Sequence, residues 1–308
     1  MEVLKAVVPI FGIIILGYIL IKIRFLSQDF INELNKFVYF VALPSLLFYK
    51  ISKSSFEENL NINLILAAII STIIVISISY IVCKILNLKD TKKGVFIQAT
   101  FRGNVAYIGF AISLAIFGGK ALEVAGLFAG FYIPLTNIFA ILILTYFGKA
   151  NVKCYTLPCI AYDILKNPIV LSSAAGIFFS KFNLFIPEIL DKFLDIISCT
   201  ALPLALLVIG GNISFEKIKE EFFIPSLTSF FKLILLPAIL LFITKFINIK
   251  SFDLKIGVIL LSTPTAITSF VFAKELKGDE DLASSAIVFS TALSVITIPL
   301  WLLYLQKY

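Results

Sequence analysis

Residues 94–109 read GVFIQATFRGNVAYIG, and residues 257–272 read GVILLSTPTAITSFVF. Each stretch begins as an apolar helix, is interrupted near its middle and then resumes. The first interruption contains the Arg-Gly-Asn sequence of residues 102–104, and the second contains Pro264. A cation, a glycine, an amide and a proline are each costly within a hydrophobic span, because they disturb the helix or need a polar partner in lipid. Two such interruptions at corresponding places in two halves of a membrane protein predict a transport site made of discontinuous helices.

The overall composition predicts that the chain lies in a lipid bilayer. It is 60% hydrophobic with a mean hydropathy of +1.03, whereas a soluble domain is typically about 45–50% apolar. We therefore expect an integral membrane protein. The net charge of +7 does not indicate a nucleic-acid partner, because the lysines lie in short loops between apolar runs, where they fix topology.

Side chains that carry chemistry are scarce. The chain has no histidine, and its four cysteines show no metal-binding spacing, so we expect no metal, no cofactor and no enzymatic activity. Proton coupling would need a carboxylate, and the predicted span interiors contain almost none. Sodium coupling stays open, because hydroxyl and carbonyl oxygens could coordinate the ion.

Apolar runs of about 20 residues predict ten membrane-spanning helices. Their approximate limits are residues 6–23, 36–52, 62–84, 94–117, 121–147, 165–181, 187–210, 222–246, 254–274 and 281–304. The longest polar stretch, Gly148 to Asn167, includes an amphipathic segment from Leu157 to Leu165 that we expect on the membrane surface. This stretch separates a first five-helix repeat, residues 1–150, from a second, residues 151–308.

Internal similarity supports the two repeats. ALPSLL at residues 42–47 recurs as ALPLAL at residues 201–206, and a similar offset relates the two interrupted stretches. Because five is an odd number, the second copy must enter the membrane from the opposite side. The predicted fold is therefore all-α and integral to the membrane, with two inverted five-helix repeats and interrupted helices 4 and 9. Basic residues are more frequent after odd-numbered helices, which predicts a multi-pass cell-membrane protein with both termini outside.

The first interruption supplies candidate substrate-binding residues. A guanidinium binds a carboxylate through two parallel hydrogen bonds, so Arg102 would suit an organic anion, unless it pairs with backbone carbonyls or an acidic neighbour. Gly103 lets the chain leave helical geometry, and Asn104 can donate and accept hydrogen bonds beside the freed backbone groups. The alternative is that the glycine only allows close packing and that the amide is hydrogen-bonded to the next helix.

In the second interruption, Thr263 and Thr265 flank Pro264. Their hydroxyls either bind the ligand or satisfy the carbonyls that the proline releases. Half-helix N-termini after both interruptions would carry partial positive charge and favour an anion. Ser45, beside a mid-span proline, is a further candidate for the site. We expect Lys232 to reach an acidic partner or a membrane interface.

With these residues assembled, the chain resembles the auxin efflux carrier family, the PIN-like transporters and their bacterial relatives. SFVFAKE at residues 269–275, after Pro264, is similar to the family's P-F-V-F-A-K-E segment that follows a proline crossover. Residues 103–104 stand where the family has Pro-Asn, and residues 43–44 are similar to the Leu-Pro of its second span. Glycine in place of the first crossover proline, with Arg102 beside it, departs from the family pattern.

The resemblance implies a scaffold domain and a transport domain with an X-shaped helix crossover, as in bile-acid transporters and sodium–proton antiporters. It also implies a carboxylate substrate, such as indole acetate, malate or malonate, contacted by Asn104, and it is compatible with a homodimer. We therefore expect a secondary transporter of a small organic anion that works by alternating access. The alternatives are a sodium-coupled organic-anion symporter of the bile-acid type and an anion channel. The anion, the coupling ion and the direction of transport stay open.

Overall fold

The computed structural model describes residues 2–54, 60–148, 166–213 and 222–307. Within these ranges the regular structure is helical, apart from one isolated bridge between two residues. The α-helices in chain order are α1 (Glu2–Lys22), α2 (Gln28–Phe37), α3 (Leu43–Ser52), α4 (Ile62–Ile85), α5 (Asp90–Phe101), α6 (Phe110–Phe117), α7 (Gly119–Gly148), α8 (Pro168–Lys181), α9 (Glu188–Gly211), α10 (Phe223–Phe230), α11 (Leu236–Ile243), α12 (Ser251–Leu261), α13 (Thr268–Glu275) and α14 (Glu280–Leu305). Short π-helical turns, Val38–Ala42, Val105–Gly109 and Phe231–Leu235, precede α3, α6 and α11.

Seven helical segments of the described chain are long and apolar enough to cross a membrane. They are Lys5–Lys22, Gln28–Ser52, Ile62–Ile85, Gly119–Gly148, Glu188–Gly211, Phe223–Ile243 and Glu280–Leu305. Two shorter apolar helices, Val105–Phe117 and Pro168–Lys181, accompany them. The prediction of an all-helical, multi-pass membrane protein is therefore confirmed, whereas ten spans in two inverted repeats stay a prediction. The predicted amphipathic segment from Leu157 to Leu165 lies outside the described residues.

A proline follows two of the π-helical turns and accounts for them. Pro44 and Pro237 each occupy the second position of the next α-helix. A proline donates no backbone hydrogen bond and clashes with the carbonyl four residues earlier, and a wider turn relieves both problems. The carbonyl of Leu233, four residues before Pro237, accepts a hydrogen bond from the indole N–H of Trp301 at 2.7 Å. Lys232 lies in the same wide turn.

The chain forms two compact units, and each unit combines segments from both predicted repeats. The first unit comprises Met1–Asn61, Ala106–Phe131 and Ile160–Ile213, and the second comprises Ile62–Val105, Tyr132–Cys159 and Ser214–Tyr308. The predicted boundary between residues 150 and 151 marks a sequence repeat, and the compact units do not follow it. The repeat itself stays a prediction.

Close glycine contacts join α1 and α9 in the first unit. Gly17 of α1 lies against the carbonyl of Leu207, and Gly210 of α9 lies against the carbonyl of Ile14. A β-carbon at either glycine would overlap that backbone oxygen. The two helices therefore approach more closely than larger residues would permit, as is common between membrane helices.

In the second unit, α5 packs against α4, α10 and α14, while α12 packs against α4, α11 and α14. The last turns of α5 and α12 are buried throughout. A hydrogen bond of 2.8 Å between the hydroxyls of Thr72 and Tyr132 adds a polar contact to this interior. The packing therefore buries the carboxyl ends of α5 and α12 inside the second unit.

Candidate binding site at the paired helix interruptions

Both interrupted helices end inside the second unit. α5 ends at Phe101 and helical structure resumes at Val105, whereas α12 ends at Leu261 and α13 begins at Thr268. The last carbonyls of a helix have no partner within that helix, and an unsatisfied carbonyl is costly away from water. The backbone at both interruptions therefore needs partners from elsewhere in the protein.

The two interruptions provide partners for each other through an antiparallel bridge between Gly103 and Thr265. The two hydrogen bonds of the bridge run from the N–H groups of Asn104 and Ala266 to the carbonyls of Pro264 and Arg102, at 2.8 and 3.0 Å respectively. Two chain segments about 160 residues apart thus form one structure. It brings together six of the predicted site residues, namely Arg102, Gly103, Asn104, Thr263, Pro264 and Thr265.

Side chains satisfy the last carbonyls of α12 one after another. The carbonyls of residues 259, 260 and 261 accept hydrogen bonds from Ser262 Oγ at 3.0 Å, from Thr263 Oγ1 at 2.8 Å and from Lys232 Nζ, in that order. The Thr263 hydroxyl therefore donates to a carbonyl, and its oxygen keeps lone pairs that can accept a further hydrogen bond.

Thr265 connects the second interruption to two helices. Its N–H donates to Ser290 Oγ of α14 at 3.0 Å, and its hydroxyl donates to the carbonyl of Ala99 in α5 at 3.1 Å. The residue is buried. These contacts fix the position of the bridge relative to α5 and α14.

Arg102 is held inside the second unit. Its Nη2 donates to Asn137 Oδ1 at 3.0 Å, and its Cζ lies 3.7 Å from the centre of the Phe272 ring. Only 4% of the residue is exposed. An amide oxygen and an aromatic face therefore orient the guanidinium, and a cation over an aromatic face is an attractive contact.

The side-chain amide of Asn104, next to the bridge, has no hydrogen-bond partner in the described part of the chain. The amide can therefore still donate and accept hydrogen bonds. The backbone of Asn104 is fixed by the bond to Pro264, and 8% of the residue is exposed.

Two basic side chains lie beside the bridge. Arg102 and Lys232 both lie at the interruptions. In the described part of the chain, no cluster of three or more His, Cys, Asp or Glu side chains could hold a metal ion.

Ser45 belongs to a different compact unit from the other predicted site residues. Ser45 lies on α3 in the first unit, and its hydroxyl donates to the carbonyl of Val41 at 2.8 Å. The predicted set is thus divided between the two units.

The prediction that Lys232 reaches an acidic partner or a membrane interface was wrong. The side chain is fully buried, and no carboxylate of the described ranges forms an ion pair with it. Its Nζ instead donates to the carbonyl of Leu261 at the end of α12. A lysine within an otherwise apolar span was the available signal, but its partner is a backbone group that is exposed only because α12 ends there.

Comparison with known proteins identifies the family of the chain. A family model described as membrane transport protein (Mem_trans) matches residues 2–153 and 155–302. The chain belongs to this family. Among Mem_trans relatives, an uncharacterized transporter of Methanocaldococcus jannaschii is 28% identical over 300 residues, which cover 94% of each chain. A protein of Rhizobium meliloti named "Putative malonate transporter" is 26% identical over 319 residues, covering 99% of this chain and 96% of the relative.

Plant Mem_trans relatives match a smaller part of the chain. Auxin efflux carrier component 1 of Arabidopsis thaliana is 26% identical over 150 residues, which cover 46% of this chain and 23% of the plant protein. The resemblance to the auxin efflux carrier family is therefore confirmed. The relatives are named as transporters rather than enzymes, which agrees with the expectation of a non-enzymatic membrane protein.

Proposed function

We propose that the chain is a secondary transporter of a small organic anion, a carboxylate of the malonate, malate or auxin-like class, and that it works by alternating access. The observation that carries this proposal is the free amide of Asn104 beside the backbone bridge. Relatives named for malonate transport and auxin efflux support a carboxylate.

In the proposed site, the carboxylate accepts a hydrogen bond from Asn104 Nδ2 and lies toward the N-terminus of α13. The first N–H groups of a helix carry partial positive charge and favour an anion. The charges of Arg102 and Lys232 strengthen the same preference. Gly103, Pro264 and the hydroxyls of Thr263 and Thr265 complete the lining.

We place this site in a ten-helix architecture of two inverted repeats, residues 1–150 and 151–308, in which the bridged interruptions are the crossover. Such interruptions let half-helix ends approach a ligand in the middle of the membrane. We further propose that the protein lies in the plasma membrane with both termini outside, and that it can form a homodimer. The higher frequency of basic residues in the loops after odd-numbered helices supports this orientation.

Thermal unfolding of the purified protein with malonate, malate and indole acetate tests the binding step. A ligand present at 100 times its Kd stabilises the folded state by about 2.7 kcal/mol. We expect one of these carboxylates to raise the unfolding temperature of the wild type and of Asn63→Ala, but not of Asn104→Ala. Asn63 is the matched control because its exposed amide donates to the carbonyl of Asn248.

Each result bears on the proposal. A shift that persists undiminished in Asn104→Ala places the site elsewhere, and no shift with any carboxylate contradicts the substrate class. A shift that requires sodium favours the sodium-coupled symporter. Counter-flow in proteoliposomes separates a carrier from a channel, because only a carrier accumulates labelled carboxylate against an excess of unlabelled carboxylate inside the vesicles.

A further inference from the structure

Lys232 is a fully buried cation at the point where the two helix interruptions meet. It lies in the π-helical turn Phe231–Leu235 between α10 and α11, and its Nζ donates to the carbonyl of Leu261. Burying an ammonium in protein is costly unless polar groups replace its water. The groups around Lys232 must therefore stabilise its ammonium in place of water.

The oxygen that Lys232 contacts belongs to the end of a helix. Leu261 is the last residue of α12, and its carbonyl has no partner within the helix. This end of a helix carries partial negative charge, which stabilises a nearby cation. The ammonium therefore compensates the negative end of α12 directly at the second interruption.

The same ammonium also lies against the first interruption. A β-carbon on Gly103 would stand 2.9 Å from Lys232 Nζ and 2.5 Å from Thr263 Oγ1. The ammonium and the hydroxyl thus approach the same side of Gly103. A backbone carbonyl, a hydroxyl and the negative end of a broken helix are the groups with which transporters of discontinuous helices coordinate a coupling cation.

From this geometry we infer that Lys232 is a tethered cation, occupying the place where a small monovalent cation would otherwise bind and hold the two interruptions together. Lys232 is thus a positioning residue that acts through the Leu261 carbonyl and the bridge. Because the charge is covalently attached, the wild-type protein forms its anion site without sodium. The inference rests on the proposed function for the role of the bridge, and it specifies how that site is kept in place.

Removing the side chain should expose the cation site that it fills. Lys232→Ala leaves the carbonyl of Leu261 without its donor and opens a space next to Gly103. We expect Lys232→Ala to be less stable than the wild type, and to recover stability in a saturable way when sodium, potassium or methylammonium replaces N-methyl-D-glucamine at constant ionic strength. The wild type should show no difference between these cations.

Two control variants separate this role from simple packing. Lys232→Met fills most of the space with an apolar chain, so it should lose stability but gain nothing from added cations. Lys245→Ala removes an exposed lysine just beyond the end of α11, and it should behave as the wild type with every cation.

The measurement is thermal unfolding without any carboxylate, so its result is independent of whether the proposed substrate is correct. Sodium-specific stabilisation of the wild type would overturn the inference, and this test requires no variant to fold. A folded Lys232→Ala that no cation stabilises would overturn it as well, as would a Lys232→Met protein as stable as the wild type.

Discussion

Gly103 lies directly against the ammonium end of Lys232, since a β-carbon on Gly103 would stand 2.9 Å from both Cε and Nζ of that lysine. The same β-carbon would be 2.5 Å from Thr263 Oγ1. Gly103 is not among the residues with positive φ, so the position needs a glycine for space rather than for its backbone angles. Any larger residue must push on a lysine that is fully enclosed.

Gly103→Ala should therefore lower the free energy of unfolding by about 1–3 kcal/mol, the usual cost of forcing extra volume into a packed interior. The measurement is thermal unfolding in detergent. Gly12→Ala is the control, because a β-carbon on Gly12 meets nothing within 4 Å. A Gly103→Ala protein as stable as Gly12→Ala would contradict the close contact.

Ser290→Ala should destabilise the bridge by removing the acceptor of the Thr265 N–H. A buried N–H without a partner costs about 1–3 kcal/mol. Ser294→Ala is a matched control on the same helix, because Ser294 is equally buried and donates to the carbonyl of Thr291, one turn earlier. Equal losses of stability in the two variants would show that the bond to Thr265 adds nothing.

Arg102 and Phe272 should be energetically coupled. The guanidinium carbon lies 3.7 Å from the ring centre, and a desolvated cation–π contact is worth about 0.5–2 kcal/mol. A double-mutant cycle of Arg102→Met, Phe272→Leu and the combined variant, followed by thermal unfolding, should give a coupling energy in that range. Simple additivity of the two single effects would mean that the contact contributes no net stability.

Gly210→Ala should cost more stability than Gly103→Ala. The atoms that its β-carbon would meet are the backbone carbonyl of Ile14 and the backbone N–H of Tyr18, which move only if α1 and α9 separate. Substituting Gly210 should therefore disrupt the packing of the first unit as a whole. Protease sensitivity of α1, compared between Gly210→Ala and Gly12→Ala, measures this effect, and equal sensitivity would count against it.

Local composition was sufficient to predict the seven long apolar helices and the positions of the two interruptions. Long apolar runs define the helices, and a cation, a glycine and a proline mark residues 102–104 and 264 as places where a helix cannot continue. The bond from Asn104 to Pro264 could not be predicted in this way. It depends on how α5 and α12 pack together. The residue pattern within one segment does not indicate which distant segment it contacts.

For Lys232, the general rule for lysines in membrane spans gave the wrong partner. A lysine in lipid is expected to find an acid or water, and both expectations were wrong here because α12 ends at Leu261 and leaves a carbonyl in the interior. Similarly, the predicted repeats would divide the chain near residue 150, whereas the compact units combine segments from both predicted repeats. The two divisions differ because similarity between segments reflects their sequences, whereas a compact unit is defined by the helices that pack together.

The bridge between Gly103 and Thr265 joins positions about 160 residues apart in the chain. At about 5–20 residues per second, synthesis of the intervening segment takes roughly 8–32 s. During that time the peptide groups of the first interruption have no bridge partner, and lipid cannot supply one. The nascent chain must therefore keep residues 102–104 in contact with water or with the insertion machinery until residue 266 has been made. Substitutions that weaken the bridge should accordingly reduce the yield of inserted protein during its biogenesis.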